Sequence, residues 1–218
     1  MNVLLFGATG MIGQGVLREC LLDPGVERVV AVGRSPSGRH HPKLRDLVVP
    51  NVADLASVES ELTGFDAAFF CLGVSAVGMS EERYTGLTYD LTLSVAQTLA
   101  RTNPQMTFIY VSGAGTDATE RGRAMWARVK GRTENALLRL PFKAAYMFRP
   151  GFIQPLHGIR SRTRLYRLAY AATTPLYPLL ARFTSAVTTT KQLGRAMIAV
   201  ARSGYSKRVL ESRDINSL

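Results

Sequence analysis

Three glycines at three-residue spacing follow the apolar run Asn2–Phe6, in Gly7-Ala8-Thr9-Gly10-Met11-Ile12-Gly13. Gly7 and Gly10 permit a tight turn and close backbone approach to a pyrophosphate, and Gly13 permits close helix–strand packing. A helix opening at Met11 aims free N–H groups and a positive dipole end at the phosphates. About 20 residues further on, an acidic side chain would bond a ribose 2′-hydroxyl. The chain offers Gly33-Arg34-Ser35 there instead, with Arg39 nearby. A guanidinium suits a 2′-phosphate bidentately, so NADP is the expected cofactor and NAD the second choice. A further stretch, Trp126-Ala127-Arg128-Val129-Lys130, sets a lysine four residues after an indole. On a helix that is just over one turn, about 6 Å, so both side chains reach one pocket.

The elements that must position these residues alternate along the chain. Apolar runs at Asn2–Phe6, 29–32, 44–50, 65–73, 106–113 and 144–151 are short and end in glycine or proline. Helical spacing of apolar residues marks Met11–Leu22, 55–62, 81–101 and 124–140. Asp23-Pro24-Gly25 stops the first helix. The strands are continuous apolar runs, as in a parallel sheet covered on both faces. The expected fold is therefore α/β: a doubly wound, mostly parallel Rossmann sheet with helices on both faces and a small C-terminal helical cap. All of residues 1–218 are expected to form one dinucleotide-binding domain. The segment 155–187, basic and aromatic, reads as a substrate-side lid within it. After it, TTTKQLGRAMIAVARSG is an amphipathic helix capped by one of Thr188, Thr189 or Thr190, and the tail is expected over the C-terminal edge of the sheet.

Composition narrows the function classes. The chain has 218 residues, 46% hydrophobic and 20% charged, which suits a folded domain and not a disordered one. Cys20 and Cys71 form no disulfide or metal pattern, and no metal site is expected. The apolar start lacks a basic leader, and the run 168–181 holds Pro175 and Pro178 and is too short to span a membrane. These features point to a cytoplasmic location. The net charge of +11 is concentrated at one end: no acidic residue lies between Glu134 and Glu211. Such asymmetry fits an anionic partner, and the segment 160–182, with Arg160, Arg162, Arg164 and Arg167 flanking apolar residues, fits an anionic membrane surface better than nucleic acid.

GATGMIG, VSGAGTD and WARVKG together resemble the short-chain dehydrogenase/reductase superfamily, over roughly residues 1–155. The likeness is to its atypical members, the NAD-dependent epimerase/dehydratase-like Rossmann proteins. It implies that Gly7, Thr9, Gly10, Met11, Ile12 and Gly13 carry the phosphates and that Arg34 meets the 2′-phosphate. It implies that Asn51 takes the place of an adenine-contacting aspartate, and that Cys71, Leu72 and Gly73 run past the adenine-side ribose. Pro150, Gly151 and Phe152 would border the nicotinamide. Ser112 matches the catalytic serine, and Lys130 the lysine of a Tyr-x-x-x-Lys motif, which also binds the cofactor by holding the nicotinamide ribose. Trp126 stands at the tyrosine position. The resemblance also implies a small-molecule substrate and a homodimer.

An indole N–H donates a hydrogen bond but cannot shuttle a proton. Tyr84, Tyr89 and His157 are the other candidate acids, while His40 and His41 lie in a basic loop. Three functions follow. One is an NADP-dependent oxidoreductase or epimerase-like enzyme with a substituted proton donor. The second is a non-catalytic NADP-binding regulatory protein. The third is a protein peripheral to a membrane surface.

Overall fold

The computed structural model describes residues 1–159 and 186–218; the arginine-rich stretch 160–182 and most of the expected lid lie outside the described residues. The strands are β1 (Asn2–Phe6), β2 (Arg28–Gly33), β3 (Leu44–Val48), β4 (Ala67–Phe70), β5 (Thr107–Val111), β6 (Ala144–Arg149), β7 (Phe152–Gln154), β8 (Val187–Thr189) and β9 (Val209–Glu211). Seven form one sheet, ordered β3-β2-β1-β4-β5-β6-β9, with every neighbouring pair parallel. β7 and β8 make a separate parallel pair.

Continuous apolar strands are needed because each face carries its own core. Val3, Leu5, Val29 and Ile109 pack under α1 (Met11–Leu22) and α5 (Thr190–Ser203). Their neighbours Leu4, Phe6, Val30 and Phe108 point the other way, under α3 (Leu91–Thr102) and α4 (Met125–Leu137). Phe6 stacks on Phe70 at 5.5 Å between centroids, and Phe70 meets Phe108 at 6.0 Å. Each such buried ring contributes about 1.5–3 kcal/mol. The doubly wound α/β class is as expected.

Details differ from the sequence reading. The helix expected at 55–62 is a 3-10 turn, Ala56–Leu62. The long helix from residue 81 is α2 (Glu81–Thr85), one π-turn at Gly86–Asp90, and then α3. Ser80 caps α2 by accepting from the Arg83 N–H at 3.3 Å. Thr189 caps α5 by accepting from the Gln192 N–H at 3.0 Å. The described part of the tail leaves the sheet edge: α5 lies against α1, with Gly15 pressed on Thr190 and Gly194 on Glu19. Leu193, Met197 and Val200 form its apolar stripe, and the sheet face is where that stripe is buried. β9 and the short α6 (Ser212–Asn216) close the chain.

The sheet order places β1 beside β4, and the connections leave this point in opposite directions. Open α/β sheets bind ligands in the crevice beyond the carboxyl ends of such strands. The glycine turn after β1 and Cys71-Leu72-Gly73 after β4 both open there.

Candidate cofactor and active site

The turn after β1 is shaped by what glycine lacks. Gly7 has φ +86°, and a Cβ there would sit 2.8 Å from the Cys71 carbonyl. A Cβ on Gly13 would sit 2.0 Å from the Gly7 carbonyl oxygen, so only glycine lets α1 start this close to β1. The Gly10 N–H donates to the Gly7 carbonyl at 2.9 Å, which closes the turn. Gly10 caps α1 without a side chain, and the first turn of α1 holds no acid. Its N–H groups and positive end therefore face outward uncompensated, as an anion site requires.

They face a cavity of about 600 Å³. Gly10, Met11 and Ile12 line one side, Cys71, Leu72 and Gly73 the floor, and Ser112, Lys130, Pro150 and Gly151 the far end. These predicted residues are thus brought together from four strand ends and one helix. Phe152 is not in the lining; its neighbour Ile153 is. Burial pushes the Cys71 thiol well up, so it stays protonated.

A second, smaller cleft of about 90 Å³ adjoins it across Leu72. Gly7, Thr9 and Arg34 line it, together with Ser35 and Ser37. Arg34 is exposed and makes no ion pair among the described residues. Asp46, which the sequence reading missed, enters this cleft from β3. Its carboxylate accepts from the Ser37 N–H and hydroxyl, both at 3.0 Å, and so anchors the Gly33–Ser37 loop. The signal was an acid in a strand register opposite Ala31, visible only once β2 and β3 are paired. Asn51 turns its side chain to the Ala53 N–H at 3.1 Å; buried Val52 reaches the cleft in its place.

The far end is a network of side chains. The Ser112 hydroxyl donates to Glu134 Oε1 at 2.5 Å and lies 3.2 Å from the Phe148 carbonyl. Glu134 is 1% exposed and is clamped by the Arg149 guanidinium, with Nε 3.0 Å from Oε1. Arg149 also reaches Glu211 at 3.3 Å. The Lys130 ammonium donates to the Ser112 carbonyl oxygen. Burial holds Lys130 down to about 8, against a partial upward pull from Glu134. Glu134 is the second residue the sequence reading missed. Trp126, Lys130 and Glu134 form one four-residue-spaced stripe on α4, and that stripe was the available signal.

Trp126 is 36% exposed and lies outside the cavity lining. Its ring sits over Gly115, 3.3 Å from where a Cβ would be. The indole therefore covers the loop after β5 and not the cavity itself. The other candidate acids are also elsewhere. Tyr84 is buried on α2, Tyr89 lies under the Arg132 guanidinium at 4.3 Å, and His157 sits in an exposed turn with φ 58°.

The parallel sheet, the glycine turn at its switch point, and the serine after β5 with the α4 lysine on its carbonyl define a Rossmann protein of the short-chain dehydrogenase/reductase type. More closely, the chain belongs to the NAD dependent epimerase/dehydratase family, whose model matches residues 3–122. It is 31% identical over 159 residues to "Protein fmp52, mitochondrial" of Emericella nidulans, covering 70% of this chain and 66% of that protein. It is 32% identical over 171 residues to "Protein FMP52, mitochondrial" of Saccharomyces cerevisiae, covering 75% and 69%. Among solved structures, it resembles the enzyme WbmF of Bordetella bronchiseptica in complex with NAD+, at a TM-score of 0.69 and 14% identity, covering 99% of this chain and 76% of that one. The PhqB reductase domain of Penicillium fellutanum matches at 0.69 and 16% identity, covering 96% and 65%. The expected cytoplasmic location is corrected by these relatives, which are named as mitochondrial proteins. An apolar first strand and two cysteines in apolar sequence report on local folding and thiols, not on compartment. Among the described residues, no helix is long and apolar enough to cross a membrane.

Proposed function

We propose that the protein binds NADP(H) in preference to NAD(H) and acts as an oxidoreductase or epimerase-like enzyme on a small-molecule substrate. The observation that carries this reading is a pair of clefts that adjoin at Leu72 on either side of the glycine turn, one lined by Arg34 and the other by Lys130. The residues present fit a dinucleotide: a phosphate cradle that any Cβ would fill, a free helix N-terminus, and a cation at the adenosine end. When bound, the nicotinamide supplies the hydride chemistry. The chain itself binds the phosphates through α1, meets the 2′-phosphate with Arg34, and fixes the Ser112 backbone with Lys130.

Titration of NADPH and NADH against Trp126 fluorescence tests the preference. A charge-assisted bidentate contact contributes about 1.5–3 kcal/mol, so NADPH should bind ~10–100-fold tighter, and Arg34→Ala should remove most of that gap. Equal affinities, or tighter NADH that depends on Asp46, would show that the β3 carboxylate and not Arg34 governs this end. A second reading, a non-catalytic dinucleotide-responsive protein, is favoured by the Ser112 hydroxyl being spent on Glu134. NADPH consumption across a panel of aldehydes and ketones separates the two: steady turnover excludes the second.

A further inference from the structure

The described residues that line the large cavity include no Asp, Glu, His or Tyr. Cys71 and Lys130 are the titratable groups among them. The Cys71 thiol is held in its protonated form by burial. The Ser112 hydroxyl donates its hydrogen bond inward to Glu134. Lys130 spends one N–H on the Ser112 carbonyl and has two left for the cavity.

The groups around it come from four elements. Glu134 lies one turn on along α4 and is itself neutralised by Arg149 from β6. Arg149 is shared with Glu211 on β9. Tyr110 on β5 is buried, and burial raises its phenol further. Among the described residues, the anion close to Lys130 is therefore already paired, and the ammonium stands in a poorly solvated pocket without a dedicated counter-ion.

We propose that Lys130 is the proton donor of this site, with Glu134 and Arg149 as the pair that positions it. The proposal rests on the dinucleotide reading above. In the step, an oxygen that becomes negative in the cavity takes one proton from the Lys130 ammonium. An O–H bond forms, an N–H bond breaks, and a neutral amine remains that solvent reprotonates. Lys130 thereby takes the task that a tyrosine at position 126 would perform. Burial lowers its pKa to about 8, which makes the ammonium a stronger acid and suits transfer at neutral pH. An arginine there would keep the charge but could not release the proton.

The chain has five lysines, so ¹³Cε-lysine labelling gives a resolvable set of NMR signals, with Lys130 assigned by its loss in Lys130→Arg. Lys130 should titrate near 8, against about 10.4 for ordinary lysines. Glu134→Gln should move the midpoint lower, because the carboxylate raises it. Arg149→Lys, which keeps a cation, provides the same readout should Glu134→Gln fail to fold; its midpoint should stay within about half a unit. In parallel, Lys130→Arg should keep NADPH affinity within about threefold and lose at least ~100-fold in NADPH-dependent reduction of 4-nitrobenzaldehyde. A Lys130 midpoint of 10 or above overturns the proposal whether or not the aldehyde is reduced, and so does Lys130→Arg with full turnover. Failure to bind NADPH would instead overturn the dinucleotide reading and leave the titration to judge Lys130 as an acid.

Discussion

The two ends of the crevice are built by different means. At the β1–α1 turn the work is done by backbone: absent side chains at Gly7 and Gly13, and N–H groups at the start of α1. At the β5–α4 end it is done by side chains that hold one another, Ser112 on Glu134, Glu134 on Arg149, and Arg149 on Glu211. A backbone cradle binds any phosphate and tolerates no added atom. A side-chain network tolerates shape changes but depends on charge balance. The first end should fail by steric clash, the second by electrostatic imbalance.

The largest effect is expected where a buried charge loses its partner. Glu134→Ala leaves the Arg149 guanidinium, with 13% of its side chain exposed, to the more exposed Glu211 alone. Breaking a buried pair costs about 3–5 kcal/mol, and the second partner places this one near the lower figure. Urea denaturation measures it. A loss under about 1 kcal/mol would mean that the network is slack and the contrast between the two ends is false.

At the other end, Gly13→Ala drives a methyl into the Gly7 carbonyl, a contact of 2.0 Å that neither backbone can relieve cheaply. Overpacking of this kind costs about 1–3 kcal/mol. Dinucleotide binding should fall far more than stability, because the turn must shift to make room. Gly10→Ala, whose Cβ would lie 3.4 Å from the same oxygen, is the milder companion and should fold normally.

How much of this was legible in the sequence divides along the same line. The glycine turn could be found because its meaning lies in seven consecutive residues. The alternation of strands and helices gave the doubly wound fold for the same local reason. The network could not be found, since Arg149 meets Glu134 only when β6 is laid beside β5 under α4. Asp46 needed the register of β3 on β2. Ser112, matched to a catalytic serine by its place after β5, spends its hydroxyl on Glu134, and no run of sequence around it shows that.

A pH series sharpens the electrostatic half. The folded-state value of Lys130 is lowered, to about 8 from 10.5, so the native state gives up its proton before the unfolded chain does. Burying the ammonium thus costs stability at neutral pH, and the cost is relieved as pH rises from about 8 to 10.5. Relative to Lys130→Met, the wild type should gain stability over that window by up to about 2 kcal/mol, reduced from the full linkage value because Lys130 is partly exposed. A flat difference between the two proteins would mean that solvent reaches the amine freely.

The smallest effect is expected at the residue that most distinguishes this chain from its superfamily. A tyrosine at position 126 would restore the familiar motif, and the sequence alone suggests a gain in carbonyl reduction. The structure argues otherwise. Trp126 points at Gly115 and stays 36% exposed, outside the lining of the cavity that Lys130 enters. A phenol following the same path would end at the loop after β5, short of the reacting region. Trp126→Tyr should therefore change turnover by less than about threefold, far below the ~10²–10⁴ typical of a positioned general acid. Its stability cost should stay within about 0.5–1 kcal/mol, as for other partly exposed substitutions. Kinetics on the aldehyde panel and a denaturation curve measure both. A hundredfold gain would show that the helix swings its first turn toward the cavity, and that the two ends of the crevice are less separate than their construction implies.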